Sequence, residues 1–321
     1  MRETLPSRAP RARYFPVEPR AVQMKAGLMR LGMDFGNGVR DGQFFQIDDQ
    51  WPRYLKQRLA APAHRHLVLV RNAEDDALHR TVQDWMRSTL AAEHGSHRAG
   101  VPPPTAVTPL EPDQSPPARL RTLLSLGEPS SPGTTKAGEL SAGAIVDAYA
   151  AIASQIQEDF AILRLEDSRD TTLALFVSFP SDWRPERLLG ADFSELHAPV
   201  PGFPSNAAAA ASIVTSMVER GPYTRFVWSV HPDDELDHHP EEGRRIKWEN
   251  ASALWLRVER QVLVPFAAQH ASLFLIRTYL YRHDSLTAEQ RAILRLAIER
   301  TEGEVRSYKG FSPQALAFLS D

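Results

Sequence analysis

Two neighbouring stretches decide the fold of this chain: Ala253-Leu-Trp-Leu-Arg-Val-Glu-Arg-Gln-Val-Leu-Val264 and Ser272-Leu-Phe-Leu-Ile-Arg-Thr-Tyr-Leu-Tyr281. Successive side chains of a strand point to opposite faces of the sheet, so the alternation in these stretches predicts two β-strands. In the first, one face carries Leu254, Leu256, Val258, Arg260 and Val262, and the other carries Trp255, Arg257, Glu259 and Gln261. In the second, one face carries Leu273, Leu275, Arg277 and Tyr279.

Further strands and helices are predicted on both sides of this pair. Strands are predicted over 44–47, 160–165, 171–179 and 224–231, with a polar hairpin loop at 166–170. Helices are predicted over 74–90 and 143–158, and a short helix capped by Asp48 or Asp49 is predicted to end at Leu59. Two more are predicted from their caps: one runs from Asn206 to about Arg220, and one runs from a Thr287–Gln290 capping box to about Val305. Strands in hairpin-like succession with flanking helices predict an α+β fold with a mostly antiparallel sheet.

The length of 321 residues suits one large domain. We expect residues 1–13 to be a frayed, disordered N-terminus and 14–321 to form a single domain. Within it, residues 95–140 are dense in Pro, Ser, Gly and Thr and are interpreted as a long loop or insertion.

The composition excludes several classes of protein. The chain has no cysteine, which rules out disulfides, thiolate-bound haem and ordinary Cys-ligated iron–sulfur clusters. A net charge of −3 indicates no nucleic-acid partner. No apolar run is long enough for a membrane span or signal peptide, so we expect no membrane partner and a cytoplasmic location. The sequence fingerprints of dinucleotide-binding and P-loop sites are absent, so no bound nucleotide cofactor is expected. Electrons for any redox reaction would therefore come from another protein.

One histidine lies in a conformationally restricted stretch, Leu189-Gly-Ala-Asp-Phe-Ser-Glu-Leu-His-Ala-Pro-Val-Pro-Gly202. Pro199 and Pro201 fix their own φ and restrict the residues before them, so His197 precedes a rigid turn. This placement suits an axial metal ligand, whose ring must be aimed. A core or turn histidine with an ordinary hydrogen bond is the alternative.

Arginines on the predicted strands are a second candidate feature. Arg225, Arg257, Arg260 and Arg277 interrupt apolar patterns. An arginine on a buried face requires an anion or several acceptors. Either a bound carboxylate or an Arg–Glu pair within the sheet, for instance with Glu259 or Glu158, would account for them.

The third feature is a histidine-rich loop, His231-Pro-Asp-Asp-Glu-Leu-Asp-His-His239. Its spacing matches no helical metal-ligand pair, so we interpret it as a solvated acidic loop rather than a metal site. His231 is the exception because it ends a predicted strand and could face a pocket. We assign the remaining histidines at 64, 66, 94 and 97 to the surface.

An ordered set of segments resembles one family, the haem-dependent oxidative N-demethylases, which are the haem subunits of dimethylamine-type monooxygenases. The segments are Tyr14-Phe-Pro16, Gln157-Glu-Asp-Phe160, Phe179-Pro-Ser-Asp-Trp183, Leu189-Gly190, Leu196-His-Ala-Pro-Val-Pro201, Trp228-Ser-Val230, Leu254-Trp-Leu-Arg-Val-Glu-Arg-Gln261, Ile276-Arg-Thr-Tyr279 and Tyr308-Lys-Gly310.

The resemblance implies a PAS-like haem-binding core, haem b, and O2 as co-substrate. It implies oxidation of an N-methyl amine to a carbinolamine that loses formaldehyde, with electrons from a separate flavin and iron–sulfur protein. It makes His197 the axial ligand. Arg225, Arg260 and Arg277 are candidates for binding the haem, through its propionates, and His231 and Glu259 are candidate catalytic residues.

Two other functions agree with the same residues. A PAS-type haem sensor would bind O2 or CO without consuming amine, and a haem-free scaffold would retain only the fold. The Pro-rich insertion and the histidine-rich loop depart from the family pattern, so the substrate could be a larger amine than dimethylamine.

Overall fold

The computed structural model describes residues 12–34, 41–62, 65–95, 142–203, 207–241 and 246–320. Its centre is a seven-stranded antiparallel sheet in the order β1-β5-β6-β7-β3-β4-β2. The strands are β1 (Met29–Arg30), β2 (His66–Val68), β3 (Asp159–Glu166), β4 (Arg169–Phe176), β5 (Tyr223–His231), β6 (Trp255–Phe266) and β7 (Ala271–Arg282). The predicted α+β class with an antiparallel sheet is confirmed.

Eight α-helices accompany the sheet in the described part of the chain. They are α1 (Trp51–Ala60), α2 (Ala73–His94), α3 (Ala142–Ala153), α4 (Phe193–His197), α5 (Ala207–Glu219), α6 (Ala288–Arg300), α7 (Gly303–Tyr308) and α8 (Pro313–Ala317). None of the helices in these ranges is both long and apolar enough to cross a membrane.

The register of the long strands separates two faces of the sheet. Arg225 lies opposite Gln261, and Glu259 lies opposite both Val227 and Thr278, so these side chains share what we call the front face. Arg260 lies opposite Phe226 and Arg277 and belongs to the back face. The alternation predicted for β6 and β7 is therefore confirmed.

Different helices cover the two faces. On the back face, α2 and α3 pack over one half of the sheet, while α6, α8 and the segment around Tyr14 pack over the other. On the front face, α5 packs against β3, β6 and β7 through Val214 and Met217. The front face of β5 and the adjoining part of β6 is left for other contacts, and the candidate site lies there.

The predicted strand over Phe44–Ile47 is wrong. These residues form no regular element because side chains, not a neighbouring strand, accept their backbone N–H groups. Glu93 accepts from Phe44 and Phe45 at 2.8 and 3.0 Å, and Glu158 accepts from Gln46 at 2.7 Å. Sequence periodicity does not reveal such side-chain acceptors.

Two predicted helices end earlier than expected. The helix predicted to reach Glu158 ends at Ala153. The helix predicted to reach Val305 ends at Arg300. After a break at Thr301 and Glu302, the separate helix α7 begins at Gly303, whose φ of +60° is left-handed. The Asn206 cap and nearly all of the 95–140 insertion lie outside the described residues, as do residues 1–11.

Candidate functional site

His197 is the last residue of the single-turn helix α4. Asp192 accepts the backbone N–H of Glu195 at 2.8 Å, and Glu195 accepts that of Asp192 at 2.9 Å, so a capping box holds the helix. The sequence Asp192-Phe-Ser-Glu195 is a recognisable capping signal that our sequence analysis missed. The helix fixes the backbone from which the His197 ring projects.

The protonation of the His197 ring follows from its contacts. A carbonyl oxygen can only accept, so Nδ1–H donates to the carbonyl of Phe193 at 2.8 Å. In the described part of the chain Nε2 has no hydrogen-bond partner. Burial lowers the pKa of His197, and the charge of Arg225 lowers it further, against the opposing effect of the Phe193 carbonyl. The ring is therefore neutral near pH 7, with its lone pair on Nε2.

Two aromatic rings hold the imidazole in place. The ring of Phe203 stacks on His197 with centroids 4.9 Å apart and an interplanar angle of 17°. The ring of Phe193 lies 4.1 Å away in a tilted arrangement. An anchored Nδ1, a free Nε2 and a fixed ring plane are what a histidine ligand of a metal requires.

An open cleft lies directly after this histidine in the chain. It has a volume of about 900 Å³ and lies between the segment 198–202 and helix α7. Gly303, Glu304, Ser307 and Tyr308 line its α7 side. The rigid Pro-Val-Pro turn predicted from the sequence is therefore one wall of a cleft.

Arg225 is a half-buried cation on the front face of β5. Its Nε is buried with no hydrogen-bond partner in the described structure, and its Nη2 donates to the carbonyl of Lys25 at 3.3 Å. Burial lowers the pKa of Arg225, while the charges of Glu259 and Tyr308 act in the opposite direction. A guanidinium group with an unused buried donor is suited to binding an anion.

Glu259 is the carboxylate that acts on this cation, and it is already hydrogen-bonded. It accepts from Arg257 Nε at 3.2 Å and from Gln261 Nε2 at 3.1 Å, and its side chain is 17% exposed. The predicted arginine–glutamate pair within the sheet exists, and it joins Arg257 to Glu259. Glu259 also acts electrostatically on Lys309, a residue that our sequence analysis did not select.

Lys309 follows α7 and reaches the outer edge of β5. Its Nζ donates to the carbonyl of Trp228 at 2.8 Å. Burial lowers the pKa of Lys309 to about 8, although Glu259 acts to raise it. The sequence signal that could have identified Lys309 was the segment Tyr308-Lys-Gly310, which carried part of the family resemblance.

The structure does not bring Arg260 and Arg277 to His197. Both lie on the back face and are almost fully buried. Arg260 donates to the carbonyls of Gln43 and Phe44, and Arg277 pairs with Asp48 at 2.8 Å and lies over the rings of Tyr54 and Tyr279. Their charges are therefore matched by carbonyls and a carboxylate from residues 43–48 and by the rings of Tyr54 and Tyr279.

His231 lies at the far end of β5. It lies six positions after Arg225, which corresponds to about 20 Å along a strand. Its Nε2 lies 2.8 Å from Ser229 Oγ, and its ring stacks on His238 at 4.3 Å. It ends β5 as predicted and lies on the front face, opposite the apolar back-face core; that it faces a pocket stays a prediction.

The prediction that the loop 231–239 is solvated is wrong. His231, Asp233, His238 and His239 are buried, and His238 Nε2 lies 2.8 Å from Asp233 Oδ1. Arg257 donates to the carbonyl of Leu236 at 2.8 Å, so the sheet itself supports the loop. The surface assignment of His94 is also wrong, because this residue is buried with its Nε2 2.9 Å from the carbonyl of Phe45.

A second group of possible metal ligands lies beside this loop. Atoms of Glu186, His239 and Glu241 lie within 4.8 Å of one another. The group is accounted for by ordinary pairing, because His239 Nε2 lies 3.2 Å from both Glu186 oxygens and Glu241 pairs with Arg184. His197 remains the better candidate for a metal ligand, since its Nε2 is not used in this way.

Together these features define an α+β protein with a neutral histidine directly before one wall of an open cleft. Two half-buried cations lie close to it, Arg225 on the front face of β5 and Lys309 directly after the cleft-lining Tyr308. The donor set fits haem: an imidazole nitrogen suits iron, and the unused Nε of Arg225 suits a propionate. A family model described as haem-dependent oxidative N-demethylase, alpha subunit-like, matches residues 130–317, more than half of the chain. The chain belongs to this family, so it is related to haem-dependent oxidoreductases.

Proposed function

We propose that this protein is a haem-dependent monooxygenase that removes an N-methyl group from an amine, with haem b as its cofactor. The observation that carries the proposal is the state of His197: Nδ1 is anchored to Phe193, Nε2 is free among the described residues, and the residues directly after it, 198–202, line a cleft of about 900 Å³. The family match agrees with this assignment.

The proposed reaction balances as an N-methyl amine plus O2, two electrons and two protons, giving the demethylated amine, formaldehyde and water. When bound, haem supplies the iron at which O2 is activated. A partner protein carrying flavin and an iron–sulfur cluster supplies the electrons. The absence of cysteine supports a separate electron donor.

The side chains of this chain would bind, orient and exchange protons. The Phe193 carbonyl keeps the His197 lone pair on Nε2, and the two phenylalanine rings fix its direction. Arg225 would bind a propionate. Glu259, held by Arg257 and Gln261, would offer a carboxylate near the cleft for proton exchange. His231, which contacts Ser229, is the more distant candidate for proton supply.

We also infer that the sheet is PAS-like. The five long strands lie in the order β5-β6-β7-β3-β4, so the first and last of them in the chain are neighbours at the centre. Helices α4 and α5 lie between the second and third of these strands in sequence. This arrangement supports the PAS-like core that the resemblance implies.

Absorption spectra of the purified protein test the cofactor. We expect haemin to bind and to give a Soret band that shifts with CO after reduction. His197→Gly should lose or strongly alter this band, and added imidazole should restore it by occupying the vacated space. His270→Asn is the matched control, because His270 is exposed and has a left-handed φ of 51° that asparagine tolerates. An unaltered band in His197→Gly would place the ligand elsewhere.

Turnover tests the reaction. Haem-loaded protein with a flavin–iron–sulfur reductase and NADPH should release formaldehyde from dimethylamine or a larger N-methyl amine in proportion to O2 consumed. Binding of CO without any formaldehyde release from N-methyl amines would instead favour a haem sensor.

A further inference from the structure

We propose that Arg225 and Lys309 form a carboxylate-binding site beside the His197 cleft. The carboxylate would belong either to a haem propionate or to an anionic amine substrate. This inference deepens the proposed function, because it states what the front-face cations bind.

The first step of the argument is that both cations lack a hydrogen-bonded anion. Arg225 donates to the Lys25 carbonyl alone, and its buried Nε has no partner in the described structure. Among the described residues, Lys309 donates its hydrogen bond to the Trp228 carbonyl, and its Nζ lies 5.9 Å from the centroid of the Tyr308 ring, which carries no full negative charge. Cations drawn away from water are ordinarily paired with an anion, so two half-buried cations without an anionic hydrogen-bond partner in the described chain indicate an unfilled requirement for negative charge.

The second step concerns the nearest carboxylate. Glu259 acts electrostatically on both Arg225 and Lys309. Its two oxygens accept hydrogen bonds from Arg257 and Gln261 instead. One carboxylate that is already bonded to a third cation cannot neutralise two more, so the front face keeps an excess of positive charge beside the cleft.

The third step is the position of the two cations relative to each other and to the cleft. Arg225 lies on β5, and Lys309 donates to the carbonyl of Trp228, three residues further along the same strand. Lys309 directly follows Tyr308, which lines the cleft. A guanidinium group binds a carboxylate through paired donors, and an ammonium group adds a point charge, so the two together select a carboxylate.

Haemin and haemin dimethyl ester distinguish the two sources, because the ester has lost both carboxylates. If the site binds a propionate, Arg225→Gln and Lys309→Met should each weaken haemin binding by about tenfold. Binding of the dimethyl ester should not change in either variant. Lys309→Arg should retain most of the haemin affinity, and Lys247→Met, which changes an exposed lysine, is the matched control.

If the carboxylate belongs to the substrate, the variants should bind haemin as the wild type does. They should then weaken binding of N-methylglycine to the haem-loaded protein, followed by its spectral shift, without weakening that of dimethylamine. Unchanged affinities for haemin, N-methylglycine and dimethylamine in both variants would overturn the carboxylate site.

A second measurement keeps this inference separable from the proposed function. The chain has five lysines, so ¹³C-methyl labels on their amines give few signals, and the signal missing in Lys309→Met identifies that residue. The pH midpoint at which the Lys309 signal titrates depends on the charges of its neighbours, which are Glu259 on β6, Arg225 on β5 and Tyr308 on α7. Sodium propionate should raise this midpoint even if haemin does not bind. A midpoint unmoved by both propionate and haemin would refute the site.

Discussion

The charge state of single buried histidines is set by which atoms surround them. His79 is fully buried, with Nε2–H donating to the carbonyl of Leu69 at 3.4 Å and Nδ1 accepting from the Tyr149 hydroxyl at 3.0 Å. Burial lowers the pKa of His79, against the opposing effects of the Leu69 carbonyl, Asp75 and Asp76. A second proton would need the lone pair that Tyr149 now uses.

This arrangement predicts a pH dependence of stability. The unfolded chain takes up a proton at His79 near its ordinary pKa of 6.5, while the folded chain resists protonation. The contribution of His79 is therefore fully present above about pH 6.5 and is lost as the pH falls toward the lower folded pKa, by at most about 1.4 kcal/mol per pH unit. Urea unfolding of wild type and His79→Gln at several pH values measures it. Parallel curves for the two proteins would contradict the prediction.

At the residue scale, sequence identified side chains but not their partners. The alternation of β6 placed Arg260 correctly with its apolar neighbours, yet the carbonyls of Gln43 and Phe44 that satisfy it lie more than 200 residues away in the chain. Lys309 entered only through the segment Tyr308-Lys-Gly310 and was not singled out, because its importance comes from its contact with the edge of β5. The roles of His197, Arg225, Glu259 and His231 stay predictions.

At the scale of elements, the position of His197 depends on a helix of only five residues. A single helical turn has little intrinsic stability, so its capping box contributes much of its order. Asp192→Ala removes the acceptor for the Glu195 N–H, whereas Asp192→Asn keeps an oxygen there. Replacing such a cap by alanine costs about 1 kcal/mol.

We therefore expect Asp192→Ala to weaken haemin binding about fivefold and Asp192→Asn to leave it near the wild-type value. Soret titration of the three proteins measures the affinities, and circular dichroism confirms that each is folded. Equal affinities in Asp192→Ala and wild type would show that α4 holds His197 without its cap.

Strands were more predictable than helix ends and connections. The hairpin between β3 and β4 was expected from its polar loop, and the structure tightens it to Asp167 and Ser168, both with positive φ. Strands β1 and β2 were missed because two or three residues are too few to show alternation. They depend on pairing with β5 and β4, which periodicity within the chain does not encode.

At the scale of the whole molecule, the family match begins at residue 130, but residues before it complete the core. Phe45, Leu78, Val82 and Met86 are buried against α3 and the sheet. Strand β2 pairs with β4, and Gln83 Nε2 donates to the carbonyl of Ile145 at 3.2 Å. Residues 41–95 and 142–320 thus share one apolar core. This shared core predicts that the two parts fold as one unit.

We predict that cutting the chain between these two parts leaves them associated. A site for a specific protease can be inserted between Pro117 and Ala118, in the segment that the sequence predicts to be a long loop, to cut the chain between the two parts. Separation would expose the apolar surfaces of α2 and α3 and break the β2–β4 pairing, so the two fragments should co-elute on size exclusion under native conditions. They should separate in urea. Fragments that separate without denaturant while each remains folded would instead show two independent domains.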